Sequence, residues 1–181
     1  MTQQGESALG KVEVLAATPE QEPIVANLLE LYIHDFSEIL ELQIGEDGRF
    51  GYPSLGSYWR EADRFPFLVR ADGRLAGLAL VRREWTGNEA TWDMAEFFIL
   101  RGCRRRGIGM DAAHQMWRRF PGKWTIRVMQ ANIAGRQFWA QAIAEFSGAA
   151  VVATGFDEGG KSWTHFCFEF GSRSGERVGR E

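Results

Sequence analysis

The sequence predicts one α/β (α+β) domain in which helices flank a mixed β-sheet. Segments with strand-like and helix-like spacing of apolar residues alternate along the chain. No internal repeat or low-complexity linker divides these segments. The 181 residues are 45% hydrophobic and 25% charged, which is typical of one globular domain with a core of its own.

Seven segments have the β-branched and aromatic content or the alternating pattern of strands. In chain order they are Val12–Ala16, Phe65–Arg70, Leu75–Arg82, Thr91–Leu100, Trp124–Gln130, Val151–Thr154 and Trp163–Phe170. The second and third are joined by Ala71-Asp72-Gly73, which predicts a hairpin turn. Thr91–Leu100 is nearly all apolar, which favours a strand buried on both faces.

Four segments have the spacing of helices. The first follows Thr18-Pro19-Glu20-Gln21, a capping-box pattern with proline at the first helical position. The others are expected at Phe36–Leu42, before a glycine-rich loop, at Met110–Phe120, and after Asn132. The predicted element order is therefore β-α-α-β-β-β-α-β-α-β-β.

Charge and composition exclude several classes of protein. The chain has 21 Lys and Arg against 24 Asp and Glu, whereas a general nucleic-acid or membrane-surface binder needs a basic excess. Cys103 and Cys167 match no metal-ligand spacing, nor do the three histidines, so we expect no metal site and a reducing compartment. The first residues of the sequence lack the basic and apolar regions of a secretory signal, so we expect none, and no apolar run approaches the ~20 residues of a membrane span. We expect a cytoplasmic protein without nucleic-acid or membrane partners.

The ends of the chain differ in composition from its middle. Residues 1–10 and 171–181 are polar and contain too few apolar residues to form a core. We expect a single domain over residues 11–170 between two tails.

The segment Gly155–Ser162 matches the phosphate-binding pattern GxxxxGK[ST]. That motif requires a helix after the loop, but the residues after Ser162 alternate like a strand. Asp157 and Glu158 would also repel a phosphate. We expect a polar hairpin loop here and no nucleotide hydrolysis.

A second glycine-rich segment, Arg104–Met110, lies between the buried strand and a helix. Gly107 and Gly109 lack Cβ atoms, so a ligand can approach the backbone closely. The positive end of the helix dipole lies at the same place and attracts an anion. The arginines suit phosphate oxygens. These features predict a site for a diphosphate with a further phosphate nearby. The alternative is a basic loop that faces solvent, an acidic protein partner or nucleic acid.

The arrangement resembles the GNAT superfamily of acyl-CoA-dependent N-acyltransferases. Its signature, [Q/R]-x-x-G-x-[G/A], is followed by a strand, an asparagine and a helix containing Phe-Tyr. The matching residues here are Arg104, Gly107, Gly109, Trp124–Gln130, Asn132, Phe138 and Trp139. The resemblance covers most of residues 11–170. It implies a three-layer domain with a mostly antiparallel sheet, a splayed central strand pair, and acetyl-CoA as co-substrate.

The resemblance also implies which residues bind acetyl-CoA. The strand end before the loop would pair through its backbone with the pantetheine arm, and the loop amides would hold the pyrophosphate. By position these residues are Phe97, Phe98, Ile99, Arg104, Arg105, Arg106, Gly107, Ile108, Gly109, Met110 and Asn132. Asn132 is explained equally well as the N-cap of the next helix.

Glu96 is the candidate general base. It is one of two ionisable residues in the apolar strand Thr91–Leu100, just before the segment expected to pair with pantetheine. Burial would raise its pKa toward a value useful for removing a proton from an amine. The alternative is a structural salt bridge, for example to Arg127. Asp93, the second carboxylate, is expected on the opposite face of the strand.

Trp139 stands where many family members have a tyrosine that protonates the CoA thiolate. Indole cannot donate this proton at neutral pH, and Trp139 falls on the apolar side of its helix, which predicts core packing. An acid would have to come from solvent or from one of the three tyrosines, Tyr32, Tyr52 and Tyr58.

The expected activity is transfer of an acetyl group from acetyl-CoA to a primary amine of a small molecule or peptide. The alternative is a non-catalytic acyl-CoA-binding module of the same fold. Asp35, Glu38 and Glu41 favour a cationic acceptor, unless they only form a solvated helix face. The resemblance is also compatible with a homodimer.

Overall fold

The computed structural model describes residues 10–148 and 151–171, so most of both expected tails lies outside the described residues. The described part contains seven strands and four α-helices in the predicted order. The strands are β1 (Val12–Ala16), β2 (Arg64–Ala71), β3 (Arg74–Thr86), β4 (Glu89–Ile99), β5 (Gly122–Met129), β6 (Val152–Glu158) and β7 (Lys161–Phe170). The helices are α1 (Glu22–Phe36), α2 (Ser57–Arg60), α3 (Ile108–Arg119) and α4 (Ile133–Ser147).

The entry to α1 follows the sequence pattern. Thr18 and Gln21 form the capping box around a short 3-10 turn, with Pro19 at its first position. The helix predicted at Phe36–Leu42 is wrong, because α1 ends at Phe36. The Ser37 hydroxyl donates to the His34 carbonyl at 2.6 Å, which competes with continuation of the helix. The second helix is the single turn α2, further along the loop.

The sheet has the order β1-β2-β3-β4-β5-β7-β6. All neighbouring strands are antiparallel except β4 and β5. These two parallel strands pair only through Trp92 with Trp124 and Asp93 with Thr125. Beyond that point they separate, so the splayed central strand pair is confirmed.

Three hairpins in the described part of the chain have tight turns with left-handed backbone, and in the β3–β4 hairpin the left-handed residue is Gly87, with φ of 61°. Asp72 and Gly73, with φ of 51° and 72°, join β2 to β3 as predicted. Gly159 and Gly160, with φ of 60° and 72°, join β6 to β7. The strand β7 begins at Lys161, so no helix follows the GxxxxGK[ST] pattern and the segment is a hairpin.

Each face of the sheet is covered by its own helices, which gives the domain three layers. On one face, α3 and α4 pack Trp117 and Ile143 against strand residues that include Trp124. On the other face, α1 and α2 pack Leu29 and Tyr58 against a second set of strand residues. None of the helices in the described part of the chain combines the length and apolar character that crossing a bilayer requires.

Candidate active site

The glycine-rich loop leads directly into α3. Arg105 and Gly107 have left-handed backbone, with φ of 59° and 74°. Among the described residues, the six consecutive N–H groups from Arg105 to Met110 find no hydrogen-bond acceptor. Free amides at the start of a helix suit an anion, and the helix dipole adds to the attraction. The loop therefore fits the diphosphate predicted for it.

Gly109 lies against β4 and α4. A Cβ atom at this position would lie 3.4 Å from Ile99 Cγ1 and 3.4 Å from Phe138 Cε2. These are ordinary van der Waals distances, so the start of α3 packs against β4 and α4 here. Ligand approach to the backbone of Gly109 stays a prediction.

Two arginines, Arg101 just before the glycine-rich loop and Arg104 within it, bind Asp35 of α1. Arg101 donates to Asp35 at 2.8 Å and to Glu38 at 3.0 Å, and Arg104 donates to Asp35 and to the Ile99 carbonyl. Burial alone would raise the pKa of Asp35, but the hydrogen bonds from the two arginines hold it below its ordinary value. Asp35 and Glu38 are therefore compensated, which weakens their use as evidence for a cationic acceptor.

The splay leaves one edge of β4 open. From Phe97 to Ile99 the strand pairs with β3 on one side and has no strand partner on the other among the described residues. At Gly77 on β3, a Cβ atom would lie only 2.0 Å from the Phe98 carbonyl oxygen, so glycine permits this close pairing. The backbone on the open side of β4 is available to an extended ligand.

Asp93 and Glu96 lie on the same face of β4, which corrects the prediction of opposite faces. In the antiparallel register Glu96 is opposite Leu80, and Asp93 is opposite Arg82. Leu80 and Arg82 share a face of β3, so their partners share it too. The register shifts between these pairs because Ala95 is an extra residue, a β-bulge. The sequence pattern contains no signal for this bulge.

Asp93 is held by two arginines. It is 1% exposed and accepts from Arg82 on β3 and from Arg127 on β5, the latter at 3.2 Å. The expected alternative partner of Glu96, Arg127, is thus paired with Asp93 instead. The two ion pairs connect β3, β4 and β5 at the point where the splay begins.

Glu96 is surrounded by tyrosines. The Tyr52 hydroxyl donates to Glu96 Oε1 at 3.0 Å, and the Tyr32 hydroxyl lies close enough to lower the pKa of the carboxyl group. The pKa of Glu96 is raised, chiefly by burial; the two tyrosine hydroxyls and Arg82 oppose this rise, and Asp93 adds to it. A half-buried carboxylate with a raised pKa is suited to accepting a proton.

The third tyrosine of the chain belongs to the same cluster. The Tyr58 hydroxyl is buried beside Tyr52 and has no well-formed hydrogen bond to the described residues. Burial is the largest cause of the raised pKa of all three tyrosines, which keeps them protonated. Their convergence on Glu96 was not predictable, because they come from α1, a loop and α2.

A cavity of about 560 Å³ lies between α1 and the loop that follows it. Glu30 on α1 accepts from the Phe50 amide at 2.7 Å and from the Gly51 amide at 3.0 Å. Tyr52, the next residue, lines the cavity and reaches Glu96. Sequence reasoning missed Glu30, since nothing local indicates a bond across 20 residues.

Trp139 and Asn132 have structural contacts. Trp139 is 7% exposed and packs against Phe97 and Phe138, with ring centroids 5.1 and 4.9 Å away, so the predicted core packing is confirmed. The Asn132 side chain accepts from the Gly135 amide at 2.9 Å, which is the N-cap bond. A role of Asn132 toward acetyl-CoA stays a prediction. The described residues contain no group of three or more metal-ligating side chains.

The family model described as "Acetyltransferase (GNAT) family" matches residues 25–143. Many solved structures share the fold. An acetyltransferase from Thermus thermophilus is 16% identical, with a TM-score of 0.60, and the match covers 90% of this chain and 99% of that one. NAA60 from Arabidopsis thaliana, solved with a bisubstrate analogue, is 10% identical, with a TM-score of 0.57 and coverages of 88% and 98%.

RimL, a ribosomal L7/L12 alpha-N-protein acetyltransferase solved with coenzyme A, is also similar in fold. It is 10% identical, with a TM-score of 0.60, and the match covers 88% of this chain and 94% of that one. A search of curated protein sequences finds no match to this chain.

Proposed function

The chain belongs to the GNAT acetyltransferase family, and from this premise we propose that it transfers the acetyl group of acetyl-CoA to a primary amine. The observation that carries the proposal is the open edge of β4, which runs into six free amides at the start of α3. An extended arm and a diphosphate need these two features in this order.

The acetyl-CoA site is proposed on the predicted residues. The backbone of Phe97, Phe98 and Ile99 would pair with the pantetheine arm, and the amides from Arg105 to Met110 would hold the diphosphate. Arg105 and Arg106 are exposed and unpaired among the described residues, so they can reach an outer phosphate. Arg104 would act indirectly, because its bonds to Asp35 and Ile99 fix the loop.

Glu96 is proposed as the general base for direct attack in a ternary complex. The carboxylate takes a proton from the acceptor ammonium, directly or through one water, which frees the nitrogen lone pair. The nitrogen forms a bond to the acetyl carbonyl carbon, and the C–S bond then breaks with its electron pair on sulfur. The nitrogen, which still carries one proton too many after the attack, releases that proton to solvent, so the product is a neutral amide. A backbone N–H of β4 near the Ala95 bulge would stabilise the developing negative charge on the carbonyl oxygen.

The departing thiolate takes its proton from solvent in this proposal. Trp139 has no proton to give at neutral pH. The raised pKa of Tyr32 and of Tyr52 makes both hydroxyls weaker acids than an ordinary tyrosine. CoA thiolate is a good leaving group, so the step does not depend on a positioned acid. This sets the chain apart from family members with a tyrosine on the corresponding helix.

A non-catalytic acyl-CoA-binding module is the second candidate, and the buried Trp139 is the observation that favours it. The test is acetyl-CoA consumption with polyamines, amino acids, aminoglycosides and peptide N-termini, with Glu96→Gln as the matched control. Amine-dependent CoA release that falls in the control supports the enzyme. Tight acetyl-CoA binding without turnover of any acceptor class supports the binding module.

A further inference from the structure

We propose that Tyr52 is a positioning residue that holds the Glu96 carboxylate in place through its hydroxyl, and that Glu30 anchors the loop that delivers it. This inference rests on the proposed function of Glu96 as base. Its first observation is the hydrogen bond from Tyr52 Oη to Glu96 Oε1 at 3.0 Å, which joins residues 44 positions apart. Tyr52 is therefore brought to the site by the fold and not by local sequence.

Glu30 fixes the loop one residue before Tyr52. Its two carboxylate oxygens accept the amides of Phe50 and Gly51, at 2.7 and 3.0 Å, one oxygen for each amide. Gly51 has a left-handed φ of 71°, so the chain turns sharply as it enters the site. The preceding residues bond mainly within their own turn, with Gly45 and Arg49 paired at 2.8 Å. The two hydrogen bonds of Glu30 thus tie this loop to α1 directly before Tyr52.

Tyr52 also connects the cavity to Glu96. Its side chain forms part of the cavity wall, while its hydroxyl is bonded to the carboxylate. A displacement of the loop would therefore alter both the space beside α1 and the hydrogen bonding of the base. Loop position and base ionisation are coupled through one hydroxyl group.

The groups around Glu96 determine in which direction its pKa changes when the Tyr52 hydroxyl is removed. Burial raises the pKa of Glu96; Tyr32 from α1, Tyr52 from the loop and Arg82 from β3 lower it, and Asp93 on β4 raises it. An O–H donor stabilises the ionised carboxylate, which is the form a base requires. Removing the Tyr52 hydroxyl must then raise this pKa further and leave less of the base ionised at low pH.

The test is the pH dependence of kcat in Tyr52→Phe, with acetyl-CoA affinity measured alongside. We expect the acidic side of the kcat–pH profile (its acidic limb) to shift to higher pH by roughly one unit, so that kcat at a given acidic pH falls about tenfold. The value of kcat at alkaline pH and the acetyl-CoA affinity should be nearly unchanged. Tyr58→Phe is the matched control, because it removes a neighbouring hydroxyl that is not bonded to Glu96. The acidic side of the kcat–pH profile of Tyr58→Phe should shift clearly less than that of Tyr52→Phe.

Two further variants separate positioning from damage to the loop. Glu30→Ala should shift the limb in the same direction, and Glu30→Ala/Tyr52→Phe should shift it no further than the larger single effect. Additive shifts would contradict the proposed order from Glu30 to Tyr52. A loss of kcat at all pH values with an unmoved limb would show a merely structural role and overturn the inference.

A direct titration keeps the inference testable without turnover. NMR of carboxyl-¹³C-labelled Glu, with the Glu96 signal assigned by its loss in Glu96→Gln, gives the pKa of Glu96 in each variant. An unchanged Glu96 pKa in Tyr52→Phe overturns the role of Tyr52 whatever the activity. A shifted pKa in a protein that acetylates no amine supports the hydrogen bond and contradicts the proposed function instead.

Discussion

Asp93 and Glu96 face the same side of β4 because Ala95 bulges out between them. The two carboxylates have different surroundings. Asp93 is bound by the guanidinium groups of Arg82 and Arg127. Glu96 accepts a hydrogen bond from Tyr52 and has Tyr32 nearby, and the charge of Arg82 acts on it only from a longer distance. Asp93 is therefore held in two ion pairs, whereas Glu96, whose pKa is raised, is left able to take up a proton.

This difference predicts the effect of Asp93→Asn. Loss of the charge leaves two guanidinium groups facing a neutral amide, so we expect destabilisation by about 3 kcal/mol, at the lower end for a broken buried pair because Arg127 is partly exposed. Urea unfolding measures it. Glu89→Gln is the control, since it removes a carboxylate from the same strand whose partner, Lys123, is at the surface. Equal stability of the two variants would contradict the structural role of Asp93.

The proposed role of the loop in binding acetyl-CoA predicts the effect of Gly107→Glu on thermal stability. Saturating acetyl-CoA or CoA should stabilise the protein by roughly 2–4 kcal/mol, which is several degrees in Tm. The glutamate places a negative charge against the diphosphate, so the shift should vanish. Gly107→Asn, which tolerates the left-handed backbone without a charge, controls for strain at φ of 74°.

The same assay tests the rejected nucleotide site. Lys161→Ala should leave the responses to CoA and to ATP unchanged, because Lys161 begins a strand after a hairpin turn. If folded Gly107→Glu shows the full increase in Tm on adding CoA, the loop from Arg104 to Met110 is not part of the CoA site. A specific ATP shift that disappears in Lys161→Ala would contradict the hairpin assignment.

The raised pKa of Glu96 predicts that Glu96→Gln is more stable than the wild type at neutral pH. A carboxyl group whose pKa is higher in the folded state than in the unfolded state destabilises the protein once it is ionised. The advantage of the variant should be absent below the unfolded pKa of about 4.3, grow as the pH rises toward the folded pKa, and then stay constant. Unfolding free energies over this range measure it. A variant less stable than the wild type at neutral pH would indicate that the Glu96 charge has a stabilising partner.

Element order and the conformation of the glycine-rich loop were predictable because they depend on local signals. The capping box at Thr18, the turn at Asp72-Gly73 and the apolar period of α3 are readable from adjacent residues. The helix expected at Phe36–Leu42 was wrong because apolar spacing alone does not show where hydrogen bonding stops. Hydrogen bonds between segments distant in the sequence could not be predicted from local patterns.

The surroundings of Glu96 illustrate that limit. Its position in an apolar strand marked it as a candidate, but its partners lie 44 residues away at Tyr52 and on α1 at Tyr32. The bulge at Ala95 reversed the predicted relation to Asp93, since period-two alternation assumes an unbroken ladder.

The proposal that Glu96 is the base of an amine acetyltransferase is tested most directly by kcat and acetyl-CoA affinity in Glu96→Gln. Glutamine keeps the size and most of the hydrogen bonding, and the loop from Arg105 to Met110 is untouched. We predict unchanged acetyl-CoA affinity and a kcat lower by ~10²–10⁴-fold at neutral pH, with part of the loss recovered at high pH, where the amine is already neutral. A folded Glu96→Gln protein with near-normal kcat at neutral pH would contradict the account.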